Sequence, residues 1–255
     1  MKILITGAAG ALGQALAHSL RRGHELRLWD LDPVATECEF LQGDPRNEED
    51  CRAAVADREV VIHLPEFRPG HEREGLDWEQ SLLDWHTRGT YNLMKAAVAA
   101  GVKEVLHAST LAVMGAYPAA WTVTEGWKPR PPTEAEALAR YAEELILREF
   151  SRESPVRVVC LRLGTIVRES EVQGQPFDPW WVEMHDVVHA FRRALSRDYE
   201  PLWASRSWWV FHILSDAPGA RFLLKRALEP PLEYRPLHDF RAWWYRKNET
   251  KEAGA

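Results

Sequence analysis

The chain has 255 residues, of which 45% are hydrophobic and 27% charged, with a formal net charge of −6 and a sequence pI of about 6.0. That is enough apolar mass for one large domain or two small ones, and the charge leaves no electrostatic footprint for nucleic acid or an anionic membrane. Cys38, Cys51 and Cys160 are sparse, odd in number and lack a CxxC pair, which argues against a disulfide framework and for a reducing compartment.

In chain order, residues 2–6 read as a buried strand and 11–22 as a helix. The first apolar run ends at Thr6-Gly7, too short for a signal peptide. No later run approaches the roughly 18 to 20 apolar residues of a membrane span, so a cytoplasmic protein is expected. Strands follow at 25–30 and 39–42, a helix at 47–56 and a strand at 59–64. Then come a helix at 82–100, a strand at 104–107, a helix at 134–152 and a strand at 157–161. This alternation predicts an α/β fold, a doubly wound parallel sheet of Rossmann type with helices on both faces. The near-continuous apolar strands suit a sheet covered on both sides. Beyond Leu163 the rhythm loosens: a helix is expected at 187–196, a strand at 208–214 and a frayed polar end at 247–255. We therefore divide the chain into a cofactor-binding domain, 1–167, and a small C-terminal substrate lobe, 168–255, packed on the same domain.

The turn after the first strand carries Gly7, Gly10 and Gly13, with Ala9, Ala11 and Leu12 between them. A side-chain-free turn lets the backbone approach a pyrophosphate, which then sits at the helix N-terminus. Asp30 ends the next strand, close to the offset of about 20 residues at which an acidic residue receives the adenosine ribose hydroxyls. With Leu31 beside it, this favours NAD over NADP. Asp44, after the third strand, either caps the adenine amine or is a turn-forming Asp.

The glycine spacing is GxxGxxG, and it resembles the extended short-chain dehydrogenase/reductase family of NAD-dependent epimerases and dehydratases. VVIHL at 60–64, GTYNLMKAA at 89–97, LHASTLAVMG at 106–115 and LRLG at 161–164 resemble successive strands and helices of that family. The stretch 180–195 and the short length resemble its compact uronate dehydrogenase branch. The resemblance implies NAD as cofactor, a sugar-like small molecule as partner, and a nicotinamide path beside Leu64 and Pro65. It also implies a possible homodimer through helices 82–100 and 134–152.

In this family a Ser or Thr hydroxyl binds the substrate oxygen, a Tyr handles the hydroxyl proton, and a Lys four residues later binds the nicotinamide ribose. The resemblance puts Thr110 in the hydroxyl position with Ser109 beside it. It puts Glu136 in the tyrosine place and Arg140 in the lysine place, so the Tyr-Lys pair is missing. Tyr91 and Lys95 have YxxxK spacing but lie in the preceding helix. His86 stands where the family usually has Asn, and Pro65-Glu66 replaces small residues. Glu136 and Arg140 could form an i,i+4 salt bridge worth about 0.3–0.5 kcal/mol. Alternatively, Glu136 or His86 handles the proton, the glutamate needing burial to raise its pKa. An NAD-dependent oxidoreductase or epimerase and a non-catalytic NAD-binding sensor or partner-binding protein are both compatible with this pattern.

His185 and His189 have i,i+4 spacing but no HExxH glutamate and no third ligand, so no metal is expected. The twelve tryptophans include three adjacent pairs. The resemblance puts Trp29 near the adenine, Trp121 and Trp127 near the catalytic face, and Trp180, Trp181, Trp203, Trp208 and Trp209 in the lobe. Stacking on a sugar face and plain packing both account for them.

Overall fold

The apolar runs of the first half become the strands of one parallel sheet. A computed structural model describes residues 1–197, 199, 207–217 and 220–240. Trp203 and the end expected to fray, 247–255, lie outside the described residues. Strands β1 (Lys2–Thr6), β2 (Glu25–Asp30), β3 (Glu39–Gln42), β4 (Val60–His63), β5 (Glu104–Thr110), β6 (Arg157–Leu163) and β9 (Trp208–Ile213) stand in the order β3-β2-β1-β4-β5-β6-β9. Every pairing is parallel, with Ile5 of β1 opposite both Leu28 of β2 and Ile62 of β4.

Successive strand side chains point to opposite faces, and the two cores divide accordingly. Ile3, Ile5 and Ile62 pack on α1 (Ala11–Leu20) and α6 (Met184–Ser196). Leu4, Val61 and Val105 pack on α2 (Glu48–Val55), α4 (Thr90–Ala99) and α5 (Ala135–Glu153). Trp29 is buried in this second core, with its indole Nε1 against Gly43. The strand order reverses between β1 and β4, and the crevice beyond their carboxyl ends is where sheets of this kind take ligands.

Two differences from the sequence reading have physical causes. The helix expected from residue 82 begins at α3 (Trp78–Asp84), because Asp77 and Gln80 form a reciprocal capping box. It then passes through a π-helical turn, Trp85–Gly89, into α4. Strands β5 and β6 run on to Thr110 and Leu163 through Ser109 and Arg162, whose polarity reads as a strand end but is satisfied by buried Glu144. The C-terminal part is tied into the main sheet: β9 pairs along β6 from Val158 to Leu163, and α6 joins the first core. Two short strands absent from the sequence reading, β7 (Thr165–Val167) and β8 (Trp181–Glu183), pair beside it. Among the described residues no helix is long and apolar enough to cross a membrane.

Candidate active site

A cleft of about 530 Å³ opens at the carboxyl ends of the central strands. Its first wall is the glycine turn, contributing Gly7, Ala11, Leu12 and Gly13. Gly7 has φ +66°, and a Cβ there would lie 1.9 Å from the Leu64 carbonyl oxygen. A Cβ at Gly13 would meet the Gly7 carbonyl at 2.4 Å. These two glycines are demanded by the close approach of turn, helix and β4. Gly10 differs, because what a Cβ would strike there is the Glu66 carboxylate, at 2.1 Å.

Leu64, Pro65 and Glu66 form the second wall, and Ala108, Ser109, Thr110 and Arg140 the floor. The structure thus brings Gly7, Ala11, Leu12, Gly13, Leu64 and Pro65 together with Ser109, Thr110 and Arg140. Ala9, Gly10, Asp30, Leu31 and Asp44 do not line this cleft. Asp30 accepts the Ala9 N–H at 2.9 Å on one oxygen; on the other it accepts the Asp32 N–H at 3.0 Å and Arg68 Nη2 at 2.6 Å. Leu31 gives its carbonyl to Gln42 Nε2. Asp44 accepts both the backbone N–H and the guanidinium of Arg46, as a turn aspartate would.

Thr110 N-caps the short 3-10 turn Leu111–Met114 by accepting the Ala112 N–H at 3.1 Å, so its own hydroxyl proton can be donated into the cleft. Ser109 is committed elsewhere: it donates to Glu144 Oε1 at 2.6 Å, on a carboxylate that also takes Arg162 Nε and Nη2. Arg140 is 8% exposed. It donates to the Pro65 carbonyl at 2.9 Å, to Glu143 Oε2 at 2.8 Å and to the Ala108 carbonyl.

The i,i+4 salt bridge to Glu136 therefore does not form. Glu136 is exposed, and Arg140 turns inward to Glu143 because a buried carboxylate and two carbonyls satisfy it better than a solvated one. His86 is also away from the cleft: it is buried, with Nδ1 2.7 Å from Glu143 Oε1. Neither residue expected to handle the proton lines the cleft. Tyr91 is 50% exposed and Lys95 pairs with Glu48, so the YxxxK spacing lies on the outer face of α4.

Behind Arg140 runs a buried polar network that sequence reasoning missed. Thr90 on α4 also donates to Glu143 Oε1, at 3.3 Å, and His63 on β4 bridges Thr90 and Thr6. His107 stacks on His63 with ring centroids 5.4 Å apart. Burial alone would raise the Glu143 pKa, but Arg140 and His86 more than reverse this and hold it at about 2. Burial lowers His63 to about 4 and His212 to about 3, and puts His107 well below its ordinary value. The available signal was two acidic residues, Glu143-Glu144, on an otherwise inward-facing helix stripe, and an arginine inside the apolar strand β6.

These depressed pKa values make stability pH-dependent. The three histidines have an ordinary pKa of 6.5, so the unfolded chain binds more protons than the folded one below that pH. Their contribution is complete above pH 6.5 and is lost as pH falls through the folded values. Glu143 adds a second loss between 4.5 and about 2. Glu104, raised by burial to about 7, and Glu125, also raised by burial, oppose the histidines. Urea unfolding is expected to show lower stability at about pH 5 than at about pH 7.5.

Among the described residues no tryptophan lines the cleft. On the surface loop after Thr110, Trp121 stacks on Tyr117 and Trp127 packs edge-on against both. Trp180 packs edge-on against Phe222, and Trp181 against Phe177 and Phe240. Trp208 and Trp209 lie half-buried on β9. These tryptophans pack against other side chains, and Trp29 is buried in the second core. His185 pairs with Glu183, and Asp186 accepts the Leu237 and His238 N–H groups as a structural residue. The one cluster with metal-ligand spacing among the described residues, Asp30, Asp32 and His71, already receives Arg68.

The profile described as the NAD dependent epimerase/dehydratase family matches residues 3–179. The NAD-dependent glucose-6-phosphate dehydrogenase of Haloferax volcanii is 25% identical over 221 residues, covering 78% of this chain and 81% of that protein. The uronate dehydrogenase of Pseudomonas syringae pv. tomato is 29% identical over 201 residues, covering 76% and 69%. Among solved structures, uronate dehydrogenase from Agrobacterium tumefaciens superposes with a TM-score of 0.77 at 23% identity, covering 98% of this chain and 89% of that one. A short-chain dehydrogenase/reductase superfamily protein from the same organism, with bound NAD, gives 0.75 at 19% identity over the whole of both chains. These superpositions establish the Rossmann-type fold.

Proposed function

The chain belongs to the NAD dependent epimerase/dehydratase family, and from that premise we propose that it binds NAD and acts on a sugar or sugar nucleotide as an oxidoreductase or epimerase with a changed acid/base set. The observation that carries this reading is that Thr110 and Arg140 line one cleft with the glycine turn. The turn fits an anionic phosphate, since a carboxylate already rests over Gly10. The names of the Haloferax and Pseudomonas relatives, a sugar phosphate dehydrogenase and a uronate dehydrogenase, support the substrate class.

Bound NAD would supply the acceptor for a hydride from a substrate carbon. Thr110 would donate to the substrate oxygen and fix its position. Arg140, a planar cation with several N–H donors, would donate to the nicotinamide ribose hydroxyls. Its charge would also favour negative charge on the nearby substrate oxygen. Glu143 acts as a positioning residue that aims Arg140. With no phenol or imidazole lining the cleft among the described residues, the substrate proton would leave through water.

That same lack, among the described residues, favours a second reading: a non-catalytic NAD-binding sensor or partner-binding protein. Calorimetric titration with NAD and NADP, followed by a screen of sugars, uronates and sugar nucleotides for absorbance of the reduced cofactor, separates the two. Turnover supports the first reading, binding without turnover the second, and no binding of either dinucleotide overturns both. Glu136→Gln is expected to change NAD affinity and any turnover by no more than about twofold, as for an ordinary surface position. A much larger loss would return Glu136 to the acid/base role.

A further inference from the structure

The loop between β4 and α3 lies across the adenosine side of the same site. The Glu66 carboxylate rests on Gly10, where a phosphate would approach the turn. Two residues on, Arg68 Nη2 reaches Asp30 at 2.6 Å, Asp32 at 3.1 Å, and its Nη1 reaches Glu66 at 3.5 Å. His71 Nε2 meets Asp32 at 3.1 Å, and the Arg68 N–H donates to His71 Nδ1 at 3.3 Å. Aromatic packing pins the segment: Phe67 sits 4.7 Å from Trp78, and His71 stacks at 4.7 Å on Trp85.

These contacts copy a dinucleotide's chemistry. An anion lies against Gly10 of the turn that opens α1, the end of the helix whose dipole favours negative charge. A donor occupies Asp30, where ribose hydroxyls would donate. A carboxylate offers about four lone-pair sites, and Asp30 already spends three on Ala9, Asp32 and Arg68. One is left for a diol that needs two.

We infer that residues 66–71 are an internal mimic of the cofactor, Glu66 standing for the pyrophosphate and Arg68 for the adenosine ribose, and that a dinucleotide binds only by displacing them. This rests on the cofactor reading above and deepens it. Apparent affinity is then reduced by the fraction of molecules whose loop is off the site. The two residues act differently on the two cofactors. Glu66 repels any pyrophosphate, so its charge weakens NAD and NADP alike. Arg68 neutralises Asp30, so it competes with the ribose diol of NAD yet relieves the repulsion of the 2′-phosphate of NADP.

Calorimetric titration of the full chain with NAD and NADP tests this, using Glu66→Gln and Arg68→Ala. Glu66→Gln is expected to tighten both dinucleotides, by about tenfold if the loop is on the site nine-tenths of the time. Arg68→Ala is expected to tighten NAD and weaken NADP, a split that general destabilisation would not produce. In the wild type, saturating NAD is expected to speed amide hydrogen exchange over residues 66–71. If the wild type binds NAD and both variants bind it no more tightly, with loop exchange unchanged, the mimic is overturned and the cofactor reading stands. If wild type and folded variants bind neither dinucleotide, both are overturned.

Discussion

Glu143→Ala is expected to cost about 3–5 kcal/mol of folding stability, because it strands charge in the protein interior. Arg140, 2.8 Å from the carboxylate, would lose its only acidic partner among the described residues while remaining 8% exposed. His86 and Thr90 would lose the acceptor they share. Glu143→Gln keeps the volume and one acceptor, so it is expected to cost less. Replacing both charges, as in Arg140→Met with Glu143→Leu, is expected to recover much of the stability, since a buried pair and an apolar pair of similar size are often close in free energy. It should not recover NAD binding, because the cation at the cleft floor is gone. Urea denaturation of the three variants, with NAD titration of those that fold, checks both halves. A stable Glu143→Ala protein with wild-type affinity would remove Glu143 from the site.

The second large effect is at the glycine turn. Gly7→Val is expected to abolish NAD binding and to destabilise the fold by at least about 1–3 kcal/mol, the usual cost of a strained backbone conformation. A β-branched residue at φ +66° is disfavoured in itself, and its Cβ would lie 1.9 Å from the backbone of Leu64. Backbone cannot yield there without separating β1 from β4. Gly10→Ala is the informative contrast. Its Cβ meets the far end of a flexible side chain, Glu66, so stability should hardly change while NAD binding weakens. Thermal unfolding and calorimetry on the two variants read the difference.

Much of this architecture was legible because its causes are local. Lys2–Thr6 and Val60–His63 are short apolar runs that must be covered on both faces, and the glycine turn follows from distances within a few residues of chain. The placing of Glu136 and Arg140 four residues apart on one helix was also legible. Their partnership was not. Helix spacing makes Glu136 and Arg140 neighbours, but burial decides between Glu136 and Glu143, and burial comes from α3, α4 and β5 packing on α5. The tryptophans left two readings open for a like reason: an aromatic side chain carries equal information about a sugar and about a core.

The sequence by itself determined the alternating strands and helices of the parallel sheet and the phosphate-type turn with Asp30 behind it. Each depends on periodicity, backbone freedom or spacing along one stretch of chain. Only the tertiary structure decided that β9 closes the sheet against β6, that Arg140 is anchored by Glu143 and two carbonyls, and that Glu66 and Arg68 lie on the turn and on Asp30. These are contacts between groups far apart in the chain, selected by the cost of leaving a charge or a hydrogen-bonding group buried without a partner. That cost exists only once the surrounding elements have excluded water.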